Sequence, residues 1–115
     1  MCDNYYDEII KYAEQNILLN NLIDDVIYKL SYELQKKLNQ NITIFHHSTS
    51  EQVKIEHLHD DISFFIGGIK YTVNRKEVVK KYNSLTMSAP YSEKIEIMKE
   101  CLLIELSKII TKYYQ

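Results

Sequence analysis

The chain has 115 residues, a length that fits one hydrophobic core, so we expect residues 1–115 to form a single domain. Hydrophobic residues make up 45% of the chain, which argues against intrinsic disorder, and the formal net charge of −2 gives no overall field to attract nucleic acid or an anionic membrane. Two cysteines without a CxxC pair favour a reducing, cytoplasmic setting, and apolar runs of only a few residues predict no membrane association.

Residues 3–39 are predicted to be helical, because apolar residues recur at spacings of three and four and no Gly or Pro interrupts them. The stripe begins with Ile9, Ala13 and Ile17 and continues from Ile23 to Leu38. Asn20-Asn21 is a plausible break, since Asn caps helices better than it continues them. The pattern leaves open whether the segment is one long helix or two shorter ones.

Residues 42–74 are predicted to form a four-stranded antiparallel sheet made of two hairpins. The first hairpin would pair residues 42–47 with 53–58, where apolar and polar side chains alternate. The second hairpin would join Ile62–Ile66 to Ile69–Val73 through Gly67-Gly68, because two glycines supply the positive φ angles of a two-residue turn.

The C-terminal part is predicted to be helical again. Asn74 and Glu77 have the spacing of a capping box, which would open a short helix ending near Tyr82. Pro90 or Ser92 would open a longer last helix with one apolar stripe from Ile95 to Tyr113. Helices segregated from an antiparallel sheet are typical of the α+β class, which is the predicted fold.

Three histidines form the only candidate metal site. Strand alternation places His46, His57 and His59 on related faces of the first hairpin, and three imidazoles with one open position are a known catalytic zinc arrangement. The predicted register instead brings His46 closer to Lys54, and no HExxH or paired-cysteine motif supports a metal. Solvated hairpin residues explain the histidines better than a metal site does, and a pH-sensitive surface is a third interpretation, so the sequence favours no cofactor, with zinc as the alternative.

A basic segment is the second candidate site. Between Lys70 and Tyr82 there are five cations and one anion, a net charge of +4, flanked by two tyrosines. Lysines could contact phosphates while the tyrosine rings stack on bases, or the same patch could meet an acidic protein. Arg75 is the only arginine, which is unusual for a nucleic-acid-binding protein. The candidate residues for binding a partner or nucleic acid are Lys70, Tyr71, Arg75, Lys76, Lys80, Lys81 and Tyr82.

The sequence as a whole favours a small, non-enzymatic, cytoplasmic interaction protein. We expect a protein partner and a homodimer, because both helical ends are rich in Tyr, Ile and Leu for so small a chain. Abundant Ile, Lys, Asn and Tyr with few Gly and Pro indicate an AT-rich genome, which suits a phage or mobile-element accessory protein that inhibits or regulates a host macromolecule. The alternatives are a nucleic-acid-binding regulator using residues 70–81 and a metal-dependent enzyme built on residues 46–59.

Overall fold

The computed structural model describes residues 2–42, 52–85 and 90–115. The elements in chain order are α1 (Cys2–Ile42), β1 (Val53–Leu58), β2 (Asp61–Ile66), β3 (Ile69–Asn74), α2 (Arg75–Leu85) and α3 (Tyr91–Tyr113). The three strands form an antiparallel sheet in the order β1-β2-β3. The predicted α+β class is therefore confirmed.

The prediction of four strands in two hairpins is wrong, because the described residues form one three-stranded meander. Ile42, predicted to start the first strand, ends α1 instead, and residues 43–51 lie outside the described part of the chain. The neighbour of β1 is β2, with Ile55 opposite Phe64. A two-residue turn allows this pairing because His59 adopts a φ of 45°, a conformation that His tolerates better than most residues. No glycine marks this turn in the sequence.

The turn between β2 and β3 has the predicted form. Gly67 and Gly68 have φ angles of 59° and 85°, and Ile66 lies opposite Ile69. Positive φ at both central residues matches the right-handed twist of the flanking strands. The Gly-Gly signal therefore fixed the register of this hairpin correctly.

The helices cover one face of the sheet and form a two-layer structure with it. α1 contacts β1, α3 contacts β3, and α3 also packs against α1 and α2. The opposite face of the sheet carries polar side chains, including exposed Lys54, Lys70 and Thr72. The fully buried core between the layers includes Ile23, Val26, Leu30, Ile62, Phe64, Val73, Val78, Met98, Cys101 and Leu102.

α1 is one continuous helix, which settles the question that the sequence left open. Asn20 does not cap a second helix, because its side-chain oxygen accepts a hydrogen bond from Arg75 Nη2 at 2.8 Å. That bond gives the Asn side chain a tertiary partner, so it does not compete for the backbone of its own helix. The predicted cap of α2 is present, since Asn74 Oδ1 accepts from Lys76 N at 2.8 Å.

Gln35 links β1 to α1 through two hydrogen bonds. Its Oε1 accepts hydrogen bonds from the backbone N–H groups of Gln52 at 2.7 Å and Val53 at 2.9 Å. These two amides open β1, so one side chain of α1 fixes where the sheet begins relative to the helix. The C-terminal half of α1 is thus held both by apolar packing and by this polar anchor.

Candidate interaction surface

The N-terminal half of α1 extends beyond the body of the protein. Every residue from Asp3 to Leu18, which we call the projecting segment, is exposed, and contact with the core begins at Leu19. Sixteen helical residues rise about 24 Å. The longest dimension of the protein is accordingly 67 Å, and its radius of gyration of 17.0 Å exceeds the roughly 13 Å of a compact chain of this length.

The projecting segment is strongly amphipathic. At about 100° per residue, its apolar side spans roughly 160°, which is wider than the narrow seam of a two-stranded coiled coil. Its large side chains are between 53% and 70% exposed. The polar side carries four acids and one lysine, a net charge of −3. The apolar side consists of Tyr5, Tyr6, Ile9, Ile10, Tyr12, Ala13 and Ile17, which we call the apolar side of the projecting segment.

The apolar side of the projecting segment overlaps the core-facing side of α1 but is wider. At about 100° per residue, Tyr5, Ile9 and Tyr12 lie within about 40° of Ile23, whereas Ile10 and Ile17 lie about 120–140° away from it. The predicted stripe therefore runs along one side of a continuous helix, but only its later part packs in the core: Ile17 is 58% exposed, whereas Ile23 is fully buried.

A polar cluster marks the point where the projecting segment leaves the body. Arg75 Nη2 donates to Asn16 Oδ1 at 3.0 Å as well as to Asn20. His57 Nδ1 lies 3.0 Å from Asp24 Oδ1. Asn20 and Asp24 also line a pocket of about 220 Å³ together with His57 and His59. These contacts fix the direction in which the projecting segment emerges.

The histidines of the candidate zinc site are only partly brought together. His57 and His59 line the same pocket, while His46 lies outside the described residues. His57 is engaged with Asp24, and His59 is exposed in the turn between β1 and β2. Among the described residues, no group of three or more His, Cys, Asp or Glu side chains could hold a metal ion.

The tyrosines of the basic segment belong to the core. Tyr71 and Tyr82 are each only 6% exposed. The Tyr71 ring meets the Tyr113 ring edge to face with centroids 5.7 Å apart, and its hydrogen bond with Tyr114 raises the pKa of Tyr71 to about 12. The contact between the Tyr71 and Tyr113 rings therefore stabilises the packing of β3 on α3.

The cations of the basic segment have different surroundings. Arg75 binds the two asparagines of α1, and Lys70 Nζ lies 5.8 Å from the centroid of the Phe65 ring, a distance typical of a cation–π contact. Lys76 and Lys80 are exposed on α2, and Lys81 is half-buried. A cationic surface exists here, but the described residues place no tyrosine of the segment beside it for stacking.

Four residues of the apolar side were not predicted from the sequence: Tyr5, Tyr6, Ile10 and Tyr12. The available signal was their spacing of three and four from Ile9 and Ala13, because together these residues make an apolar side about 160° wide. That is broader than a single packing seam needs.

Comparison with protein-family models, with curated proteins and with solved structures found no match to this chain. Within the described residues, no helix has the length and apolar character needed to cross a membrane. The candidate surface is therefore interpreted from its own geometry and chemistry.

Proposed function

We propose that the protein is an interaction protein that presents the projecting segment to a macromolecular partner. The observation that supports this proposal is the exposure of six large apolar side chains on one side of the projecting segment, which contributes nothing to the core of its own chain. Soluble monomers rarely expose contiguous apolar patches of this kind, and a larger patch with a polar rim marks a binding surface. The acidic residues on the other side of the helix supply such a rim.

The proposed mode of binding is a helix packed by its apolar side against a complementary surface. Residues spaced by four and seven, such as Tyr6, Ile10 and Ile17, are the anchors that this mode uses. Tyrosines suit it because they bury a large area and lose little conformational entropy on binding. The AT-rich composition supports the finer proposal that the protein is a phage or mobile-element accessory protein, which inhibits or regulates a host macromolecule in the cytoplasm.

The exposed lysines of α2 support a second candidate function in nucleic-acid binding, but more weakly. Lys76 and Lys80 are exposed and would add salt-sensitive affinity for phosphates. Arg75, the one side chain suited to bidentate contacts, is already engaged with Asn16 and Asn20. We therefore favour the projecting segment as the functional surface.

The proposal is tested by capture on the immobilised full chain from lysate of the source cells, followed by titration of each captured protein. Ile10→Glu places a charge in the middle of the apolar side, so we expect it to abolish saturable binding. Tyr28→Glu is the matched control, because Tyr28 is 80% exposed on the same helix but lies beyond the projecting segment. Binding that is equal in the wild type and in Ile10→Glu would show that the projecting segment is not the functional surface.

A further inference from the structure

We propose that the projecting segment packs antiparallel against the projecting segment of a second copy of this chain, forming a twofold-symmetric dimer. This inference rests on the proposed function and names the partner. A twofold axis brings the same patch of both copies together, so the patch must be complementary to itself. The apolar side of the projecting segment meets that condition in area, in shape and in charge.

The exposed area fits a small helical interface. The six large side chains of the apolar side expose roughly 700 Å² between them, against the roughly 800 Å² that each partner gives to a standard interface. Tyr5 and Tyr12 lie about 110–130° around the helix from the centre of the row formed by Tyr6, Ile10, Ala13 and Ile17, so the second copy covers them only in part. The dimer is therefore expected to be in a concentration-dependent equilibrium with the monomer.

The order of side-chain sizes favours the antiparallel direction. Tyr6, Ile10, Ala13 and Ile17 follow one another at spacings of four, three and four, so they form one row along the helix. When Tyr6 lies opposite Ile17 of the second copy, Ile10 lies opposite Ala13, and each large side chain meets a smaller one. A parallel pair would place Ala13 opposite Ala13 and leave a gap between the helices, which close packing disfavours.

The helix dipoles favour this direction, because antiparallel helices have opposed macrodipoles. The apolar side contains no charged residue, so its partner needs none, and the net charge of −3 on each polar side acts only across the solvated rim, where salt screens the repulsion. In the proposed register, the N-terminal turn of the second copy reaches the turn that carries Asn16 and Asn20. Arg75 lies there, on the same side of α1, and the Tyr5 ring of the second copy would face its guanidinium.

A membrane surface is a less suitable occupant. Amphipathic helices that lie in a membrane interface usually carry Lys and Arg on their polar side, where they meet anionic lipids. The polar side of the projecting segment has four acids and one lysine. Such a helix would be repelled by an anionic bilayer, whereas a protein surface of its own kind places the acids at the solvated rim.

The test is the oligomeric state of the purified full chain, measured by sedimentation equilibrium across a hundredfold range of concentration. We expect a monomer–dimer equilibrium in the wild type and in the control Tyr28→Glu. Ile10→Glu, near the twofold axis, should raise the dissociation constant about a hundredfold or more, and Ile17→Glu, at the end of the row, should raise it less, because each substitution buries two charges in a symmetric interface. Circular dichroism should show folded protein in every variant, since both substituted positions are exposed in the monomer.

The direction of packing is tested by the distance between spin labels. A label on Asp3→Cys, beside the apolar side, in a Cys2→Ser chain, is expected about 27 Å from its counterpart in the antiparallel dimer and about 10 Å away in a parallel one. Cys101 does not interfere, because it is buried and burial raises the pKa of its thiol. A separation of about 10 Å overturns the antiparallel arrangement.

Two further outcomes overturn the dimer. The first is a monomer at all concentrations, and the second is an oligomer that Ile10→Glu leaves intact. If the monomeric protein still binds a captured partner in an Ile10-dependent way, the dimer proposal fails while the proposed function stands. If Ile10→Glu changes neither self-association nor capture, both fail.

Discussion

The same substitution, isoleucine to alanine, should change the stability of the protein by different amounts in the two halves of α1. Ile23→Ala removes a fully buried side chain from the core, and such truncations cost about 2–5 kcal/mol of the free energy of unfolding. Ile17→Ala, only six residues earlier, removes a side chain that is 58% exposed. Surface substitutions stay within about 0.5 kcal/mol, and Ala is the better helix former of the two residues. The same chemical change should therefore destabilise the protein at one position and be nearly neutral at the other.

Urea unfolding followed by circular dichroism measures both changes. A slope of about 1–2 kcal/mol per molar urea converts the expected loss for Ile23→Ala into a midpoint lowered by roughly 2 M. The measurement should be repeated at several protein concentrations, because a dimer contact contributes to stability by mass action and disappears on dilution. The Ile17→Ala effect should then shrink on dilution, while the Ile23→Ala effect should not.

One result would refute the reasoning about α1. If Ile17→Ala still costs more than about 2 kcal/mol at a dilution where wild type and variant are both monomeric, Ile17 must be buried within its own chain. The projecting segment would then be part of the core. Equal effects of the two substitutions at all concentrations would lead to the same conclusion.

Three further predictions concern the body of the protein. Gln35→Leu removes the oxygen that accepts from the Gln52 and Val53 amides and should lower the free energy of unfolding by about 1–3 kcal/mol in urea melts, whereas Gln35→Glu, which keeps the acceptor, should lower it less. Gly68→Ala meets no atom within 4 Å but must hold a φ of 85°, so calorimetry should show a loss of about 1–2 kcal/mol from backbone strain alone; no loss would contradict the positive φ. Tyr114→Phe should lower the pKa of Tyr71 from about 12 towards its ordinary value of 10.0, as read by carbon NMR of labelled tyrosines. Because the pKa of Tyr71 is raised in the folded state, its contribution to the free energy of unfolding is complete below pH 10 and is lost as the pH rises towards 12. Tyr114→Phe should make the pH range over which this stability is lost narrower.

Local sequence signals were sufficient to predict the structure wherever a residue type strongly prefers one backbone conformation or one capping role. Gly67-Gly68 predicted a hairpin because only glycine adopts two successive positive φ angles without strain, and both angles are positive. Asn74 predicted the start of α2 because a short polar side chain can accept from the first free amides of a helix. These features depend on the nearest few residues, so tertiary structure had little scope to override them.

Signals that depend on distant partners were less informative. The turn at His59 was missed because a non-glycine residue with positive φ has no reliable sequence mark, and the strand pairing changed with it. Asn20-Asn21 suggested a helix end, but Arg75, 55 residues later in the chain, supplies a partner for Asn20 that no local pattern reveals. The burial of Tyr71 and Tyr82 likewise depends on the approach of other elements, including α3 over Tyr71. The apolar side of the projecting segment was the exception, since the residues that make it wider than one packing seam are visible in the sequence.

The continuity of α1 also determines how the projecting segment becomes helical. Starting a helix is unfavourable because three residues must be ordered for the first hydrogen bond, whereas each added residue extends an existing ladder. The half of α1 that packs in the core supplies that start, so the projecting segment needs only to propagate it. A peptide of residues 3–18 alone should be mostly unfolded in water, since isolated helices of about 12–15 residues are marginal even in favourable sequences. The body of the protein therefore acts as a template that holds a binding helix in shape before any partner arrives.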